Sequence, residues 1–207
     1  LLIGCASLRT QDATLWDDRH SDASNATFHY SLGVLNSLND NNEEAMAEFE
    51  KALSFDPQSA FLATELAGLY VENGHHHKAL SVLKTSLAYN PQDLDIHLLL
   101  GRVYVHLKDY KNAIKEHKWV IRKDPKNLTA YLYLASLYGE TKKYDMALEV
   151  VDKLVELDPD HLLGNYYRAK ILSEMGRYDE AEKALKKTLT LRPGFESALI
   201  DLVVLYE

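Results

Sequence analysis

The sequence is poor in the residues that build active sites and covalent staples. It has one cysteine, Cys5, which excludes an intramolecular disulfide and leaves the redox compartment open. Nine glycines and five prolines in 207 residues are too few for a disordered, Gly/Pro-rich chain. No stretch of about 18 or more apolar residues occurs, so no segment reads as a membrane-spanning helix. GxGxxG, a Walker loop, GxSxG, HExxH and CxxC are all missing, which leaves no recognisable signature for nucleotide binding, acyl transfer or metal hydrolysis. Positive charge is short as well: 23 Lys and Arg stand against 31 Asp and Glu, a net charge of −8. The chain as a whole offers nucleic acid no electrostatic attraction.

What is there is a period. The five prolines are Pro57, Pro91, Pro125, Pro159 and Pro193, each 34 residues after the last. Twelve residues before each lies an alanine: Ala45, Ala79, Ala113, Ala147 and Ala181. Twenty-four before each lies another small residue: Gly33, Ala67, Gly101, Ala135 and Ala169. Tyr70, Tyr104 and Tyr138 lie 21 before three of the prolines. Large residues lie eight before: Phe49, Leu83, His117, Val151 and Leu185. Small residues at fixed steps let two helices approach closely, and large ones fill the adjoining space.

A 34-residue unit with this pattern resembles the tetratricopeptide repeat, a helix–turn–helix module. The resemblance covers residues 26–207. It implies an all-α fold, a right-handed superhelical solenoid of antiparallel helix pairs. Five full repeats start near 26, 60, 94, 128 and 162, and the first helix of a sixth starts near 196. First helices are expected from about 27, 61, 95, 129 and 163, and second helices from about 43, 77, 111, 145 and 179. Asn25, Ser59, Asp93 and Asn127 are placed to cap four first helices. Gly74 and Gly176 fit the turns inside two hairpins. The prolines fall between repeats, where a missing donor does least harm. There are departures. The family's aromatic near the start of the first helix is replaced by His29, Ala63, His97 and Asn165, and kept only as Tyr131. Arg168 replaces a usual leucine, and His117 sits at a normally apolar packing site.

Two segments precede the repeats. Leu2-Ile3-Gly4-Cys5 looks like the lipobox of bacterial lipoproteins, which makes residues 1–5 the end of a signal peptide with a lipidated Cys5. Ala6 after it is compatible with outer-membrane sorting. The expected location is then the bacterial envelope, on the periplasmic side of the outer membrane; without acylation the chain reads as a cytoplasmic module. The bland alternative is four apolar residues and an incidental cysteine. Residues 6–25 are polar and read as a flexible tether. Leu15-Trp16 within it either docks on the first repeat or belongs to a short capping helix. At the other end, the helix from Glu196 is apolar around too much of its circumference for an exposed terminus, so the protein is expected to continue beyond Glu207, the alternative being a partner or self-association that covers this end.

The search for chemistry is short. No catalytic residues are assigned, no cofactor is expected, and no metal site is assigned. His75-His76-His77 reads as a solvated turn, with a transition-metal site as the minor alternative. Lys111, Lys115, Lys118 and Arg122 make a basic stripe along one helix, read as a solvated face or as a contact for anionic lipid or an acidic partner.

The resemblance implies instead that first helices line a concave peptide-binding groove. The residues expected there are Tyr30, Phe61, Leu98, Arg102, Leu132, Tyr166 and Lys170. Apolar anchors would hold an extended or helical protein segment, and the two cations would orient carboxylates. Tyr30 and Val34 stand where the carboxylate-clamp subclass has lysine and asparagine, so that subclass is rejected. The reading is a non-enzymatic protein–protein interaction scaffold that assists assembly of a protein complex. The alternative is the substrate-recruiting part of a larger enzyme, such as a transferase, cut after residue 207.

Overall fold

The computed structural model describes the backbone of residues 7–207 and the side chains from Ser21 onward. Cys5 and its lipobox-like context lie outside the described residues, as do the side chains of Leu15 and Trp16. The described residues form eleven α-helices and no strand: α1 (Ser7–Leu38), α2 (Asn42–Phe55), α3 (Ala60–Glu72), α4 (His76–Tyr89), α5 (Leu94–His106), α6 (Tyr110–Lys123), α7 (Leu128–Glu140), α8 (Tyr144–Leu157), α9 (Leu162–Glu174), α10 (Tyr178–Leu191) and α11 (Glu196–Tyr206). Short turns join consecutive helices, and within each unit neighbours such as α1 and α2, α3 and α4, α7 and α8, and α9 and α10 pack as antiparallel hairpins. The all-α repeat architecture expected from the period is the one observed. The helices group into two compact units, residues 1–103 and 104–207.

The period predicts helix positions to within one residue: α2 to α10 each begin one residue before the expected start. The N-terminal segment differs. The stretch expected as a tether is helical from Ser7 and runs without a break into the first repeat. No proline or glycine occurs between Ser7 and Leu32 to stop it. Asn25 is therefore inside a helix, not at its cap, and its amide donates to Ser21 Oγ.

The other caps form. Ser59 Oγ accepts from Leu62 N at 3.2 Å, Asp93 Oδ1 from Ile96 N at 2.9 Å and Asn127 Oδ1 from Ala130 N at 3.0 Å. At the fifth first helix the sequence reading missed the cap: His161 Nδ1 accepts from Gly164 N at 3.0 Å.

One turn is repeated five times. Asp40, Gly74, Lys108, Lys142 and Gly176 all have positive φ, between 56° and 77°. Each ends a first helix in a Schellman motif, in which the next amide reaches back to a carbonyl in the last turn. Examples are His75 N to Tyr70 O at 2.7 Å and Lys143 N to Tyr138 O at 2.8 Å. Glycine takes this conformation without strain; the other three residues do not.

The repeated small residues are the closest contacts of the core. All five alanines twelve before the prolines are fully buried, and Ala67, Ala135 and Ala169 nearly so. Gly33 is a glycine because a Cβ there would lie 2.7 Å from the Phe49 ring. In the second unit, Leu134, Ala135, Tyr138, Ala147, Val151, Leu172 and Ala181 form one cluster from α7 to α10, and Ala169, Ala184, Leu185 and Ala198 a second that reaches α11.

The polar departures have individual solutions. His29 meets Glu48 Oε2 at 2.6 Å. Asn165 donates to the carbonyls of Pro159 and His161, both at 3.0 Å. Arg168 Nε donates to Asp152 Oδ1 at 2.6 Å. His117 has no such solution: it is fully buried and neither ring nitrogen has a hydrogen-bond partner.

Candidate functional site

First helices carry the expected groove residues, and each unit presents its own set. In the first unit, Tyr30 is half-buried, with ring centroids 5.3 Å from Phe61 and 5.7 Å from Phe49. Phe61 is the outer member of this cluster, 54% exposed. Leu98 is half-buried and Arg102 exposed. A hollow of about 270 Å³ opens between α1 and α3, lined by Val34, Leu38, Thr64, Gly68 and Glu72 among others.

In the second unit the site centres on α9. Two hollows flank it. One, about 420 Å³, lies toward α7 and is lined by Ser136, Gly139, Glu140, Tyr144 and Tyr167. The other, about 690 Å³, lies toward α11 and is lined by Ser173, Tyr178, Asp201 and Val204. Lys170 and Glu174 line both. These two residues are one helical turn apart, so both project to the same face. The Lys170 ammonium lies 5.9 Å from the centre of the Tyr166 ring, a cation–π distance.

Tyr166 is less free than its expected role as an anchor requires. It packs edge-on against Phe195, 5.0 Å between centroids. Burial raises its pKa, and the Asp201 carboxylate beside it adds to the shift. Its ring lines neither hollow and instead backs Lys170, which is the exposed element above it. Tyr144 donates to Glu174 Oε2 at 3.0 Å, and this bond raises the pKa of the phenol. Glu174 is held by that bond across the smaller hollow. Leu132 is half-buried on α7 and lines neither hollow.

The structure thus brings together Tyr30 with Phe61, and Tyr166 with Lys170. Sequence reasoning missed Tyr144, Tyr178 and Asp201 as lining residues. The first two had a signal: Tyr110, Tyr144 and Tyr178 recur at the 34-residue period, at the start of each of three second helices. Asp201 had none.

Chemically the face offers hollows sized for apolar side chains, a hydrogen-bonded carboxylate and an exposed ammonium. Among the described residues no group of three or more His, Cys, Asp or Glu could hold a metal ion. His75 of the histidine run instead lies 3.7 Å from the Glu43 carboxylate. No described helix is long and apolar enough to cross a membrane.

Comparison with known proteins places this architecture. The family model described as anaphase-promoting complex, cyclosome, subunit 3 matches residues 38–120 and 117–188. No curated protein matches the sequence. Among solved structures, a tetratricopeptide repeat protein from Parabacteroides merdae is similar, with 17% identity, a TM-score of 0.78, and coverage of 88% of this chain and 73% of the other. MamA of Desulfovibrio magneticus RS-1 is 18% identical over 83% of this chain and 97% of its own, with a TM-score of 0.73. YrrB, described as a TPR protein with an unusual peptide-binding site, is 21% identical over 84% of this chain and 89% of its own, with a TM-score of 0.67. At these identities the structures establish the shared fold. The family model spans most of the chain, and with the five-fold turn, the buried alanine register and the stacked hairpins it leads to one conclusion: this chain belongs to that family of tetratricopeptide-repeat proteins.

Proposed function

We propose that this protein is an interaction scaffold whose first-helix faces grip a segment of a partner protein, and that the second unit holds it at α9. The observation that carries this reading is the pair of hollows sharing Lys170 and Glu174. A partner side chain entering either hollow passes Lys170, which can pair with a carboxylate of the same segment. The description of YrrB as peptide-binding supports the class of ligand. Phe61 and Arg102 give the first unit an exposed ring and an exposed cation of the same chemistry.

The finer reading rests on sequence alone. Leu2-Ile3-Gly4-Cys5 supports a lipid anchor, and with it a role at a bacterial envelope in assisting assembly of a protein complex. Several acyl chains hold a protein stably on a membrane, whereas one holds it marginally. The test for the anchor is mass spectrometry of the mature N-terminus together with fractionation of a Cys5→Ala variant; a variant that partitions to membranes like the parent refutes it.

The groove is tested by site-specific photo-crosslinking from Ser173 and Phe61 in the native host, with Thr190 on the exposed part of α10 as control. The expected result is one shared partner trapped from the first two positions and lost on Lys170→Glu. Equal trapping from Thr190 overturns the assignment.

A further inference from the structure

The second unit carries another concave feature on the side formed by second helices. Between α6 and α8, floored by α7, lies a hollow of about 530 Å³. Its floor is apolar: Ile121, Leu134, Val150 and the Tyr131 ring. Its rim is cationic: Lys115, Lys118 and Arg122 from α6 and Lys153 from α8. Glu149 is the one carboxylate lining it.

This charge is local and opposes that of the protein. Helix α6 carries five Lys and Arg against Glu116 alone, and Glu116 is buried. The chain as a whole is at −8. The neighbouring α8 carries four acidic residues and one lysine. Two of the rim cations are engaged: Lys153 with Glu156 at 2.6 Å, and Lys118 over the Tyr138 ring at 5.7 Å. Lys115 and Arg122 are exposed and have no ion-pair partner among the described residues. Unneutralised cations around an apolar floor attract a ligand that supplies both anionic groups and an apolar group.

We infer that this hollow is a second docking site, for a short acidic protein segment that inserts a bulky apolar side chain between α6 and α8 and sets flanking carboxylates against Lys115 and Arg122. A bilayer fits less well, because the apolar atoms are recessed below the cations, whereas an interfacial helix must present its apolar face outermost. Nucleic acid fits less well because Glu149 stands within the hollow.

The test uses the full chain and a fluorescein-labelled twelve-residue probe peptide of glutamates with leucines at positions 5 and 9. Fluorescence anisotropy should show saturable binding that weakens as salt rises. Lys115→Glu combined with Arg122→Glu should weaken it about tenfold or more, as should replacing the probe's leucines by serine. Thr190→Glu, on α10 and away from the hollow, should leave it unchanged, and Glu149→Gln should tighten it. Both rim substitutions are exposed, and circular dichroism checks that the helices persist. No binding, equal binding of the serine probe, or an equal loss on Thr190→Glu overturns the inference. So does tighter rim-dependent binding to phosphatidylglycerol vesicles, which would make the surface a membrane contact. A concentration-dependent dimer abolished by the rim substitutions would assign the surface to a second copy and likewise overturn it.

Discussion

Replacing His117 by leucine should stabilise the protein, and should do so more at acid pH. His117 is fully buried on α6, and both ring nitrogens lack partners. Leaving a buried polar group unpaired costs about 1–3 kcal/mol. Leu83 and Leu185 occupy the same position in the second and fifth repeats and are buried there too, so the backbone accepts the replacement. The lost stacking on Tyr133, 5.4 Å between centroids, offsets about 0.5 kcal/mol. At pH 7.5 the expected net gain is about 1–2 kcal/mol. Burial also pushes the imidazole down to a pKa of about 4 from its ordinary 6.5. In that window the unfolded chain binds the proton and the folded chain does not, so stability is complete above 6.5 and falls as pH drops toward 4. At pH 5 the loss is about 2 kcal/mol, approaching about 3 kcal/mol below pH 4. Leucine does not titrate, so the advantage of His117→Leu should widen by about 2 kcal/mol between pH 7.5 and pH 5. Urea unfolding followed by circular dichroism on both proteins at both pH values measures it, and all other carboxylates and imidazoles cancel in the comparison. An advantage that stays constant with pH would show that the imidazole is hydrated or protonated in place, and the reasoning would fail.

Further substitutions probe the repeat itself. Lys108→Gly and Lys142→Gly should each raise stability by about 0.5–1 kcal/mol, because left-handed backbone costs a side-chain-bearing residue more than glycine's freedom costs the unfolded state; Gly74→Ala and Gly176→Ala should lower it by about 1 kcal/mol, since nothing lies within 4 Å of the added methyl and only the backbone is strained. Denaturation midpoints that do not separate in these opposite directions would count against the turn assignment. Gly164→Ala should destabilise by about 1–3 kcal/mol, because its Cβ would overlap Leu154 Cδ2, and Leu154→Ala in the same chain should recover part of that loss in a double-mutant cycle. Asp93→Ala removes the acceptor for Ile96 N and should cost about 1 kcal/mol; amide exchange faster only in the first turn of α5 is the accompanying signature.

The fold was legible because the period is redundant. Five copies of a small residue at one step and a large one at another leave a single packing solution, and all ten of the small positions are buried. The turn was half-legible. Gly74 and Gly176 announced it, but Asp40, Lys108 and Lys142 hold the same left-handed backbone without the residue that signals it. There the cooperative stacking of the hairpins overrides local preference. The start of α1 was misread for the converse reason. Residues 6–25 have a polar composition that suggests a tether, yet helix continuity across Ser7–Leu32 depends on the absence of a breaker. The groove was legible as a set of positions and not as a site. A repeat alignment says which residues face a surface; it does not say that Tyr166 is consumed by Phe195 while Lys170 stands clear.

The surface of a repeat array acquires specificity where it departs from its own period. At the 24-before-proline register every residue is small, and none distinguishes one hairpin from the next. One position later no residue is fully buried, and the position reads Val34, Gly68, Arg102, Ser136 and Lys170. That variation puts cations only in the third and fifth repeats. The second helices show the same logic in their charge: α6 is strongly basic and α8, one hairpin later, strongly acidic. A uniform stack would juxtapose like charges or none, whereas here one inter-helix hollow collects four cations around an apolar floor. Charge reversal at Lys115 and Arg122 and charge reversal at Lys170 are therefore independent perturbations of two faces, and a partner sensitive to one should be indifferent to the other.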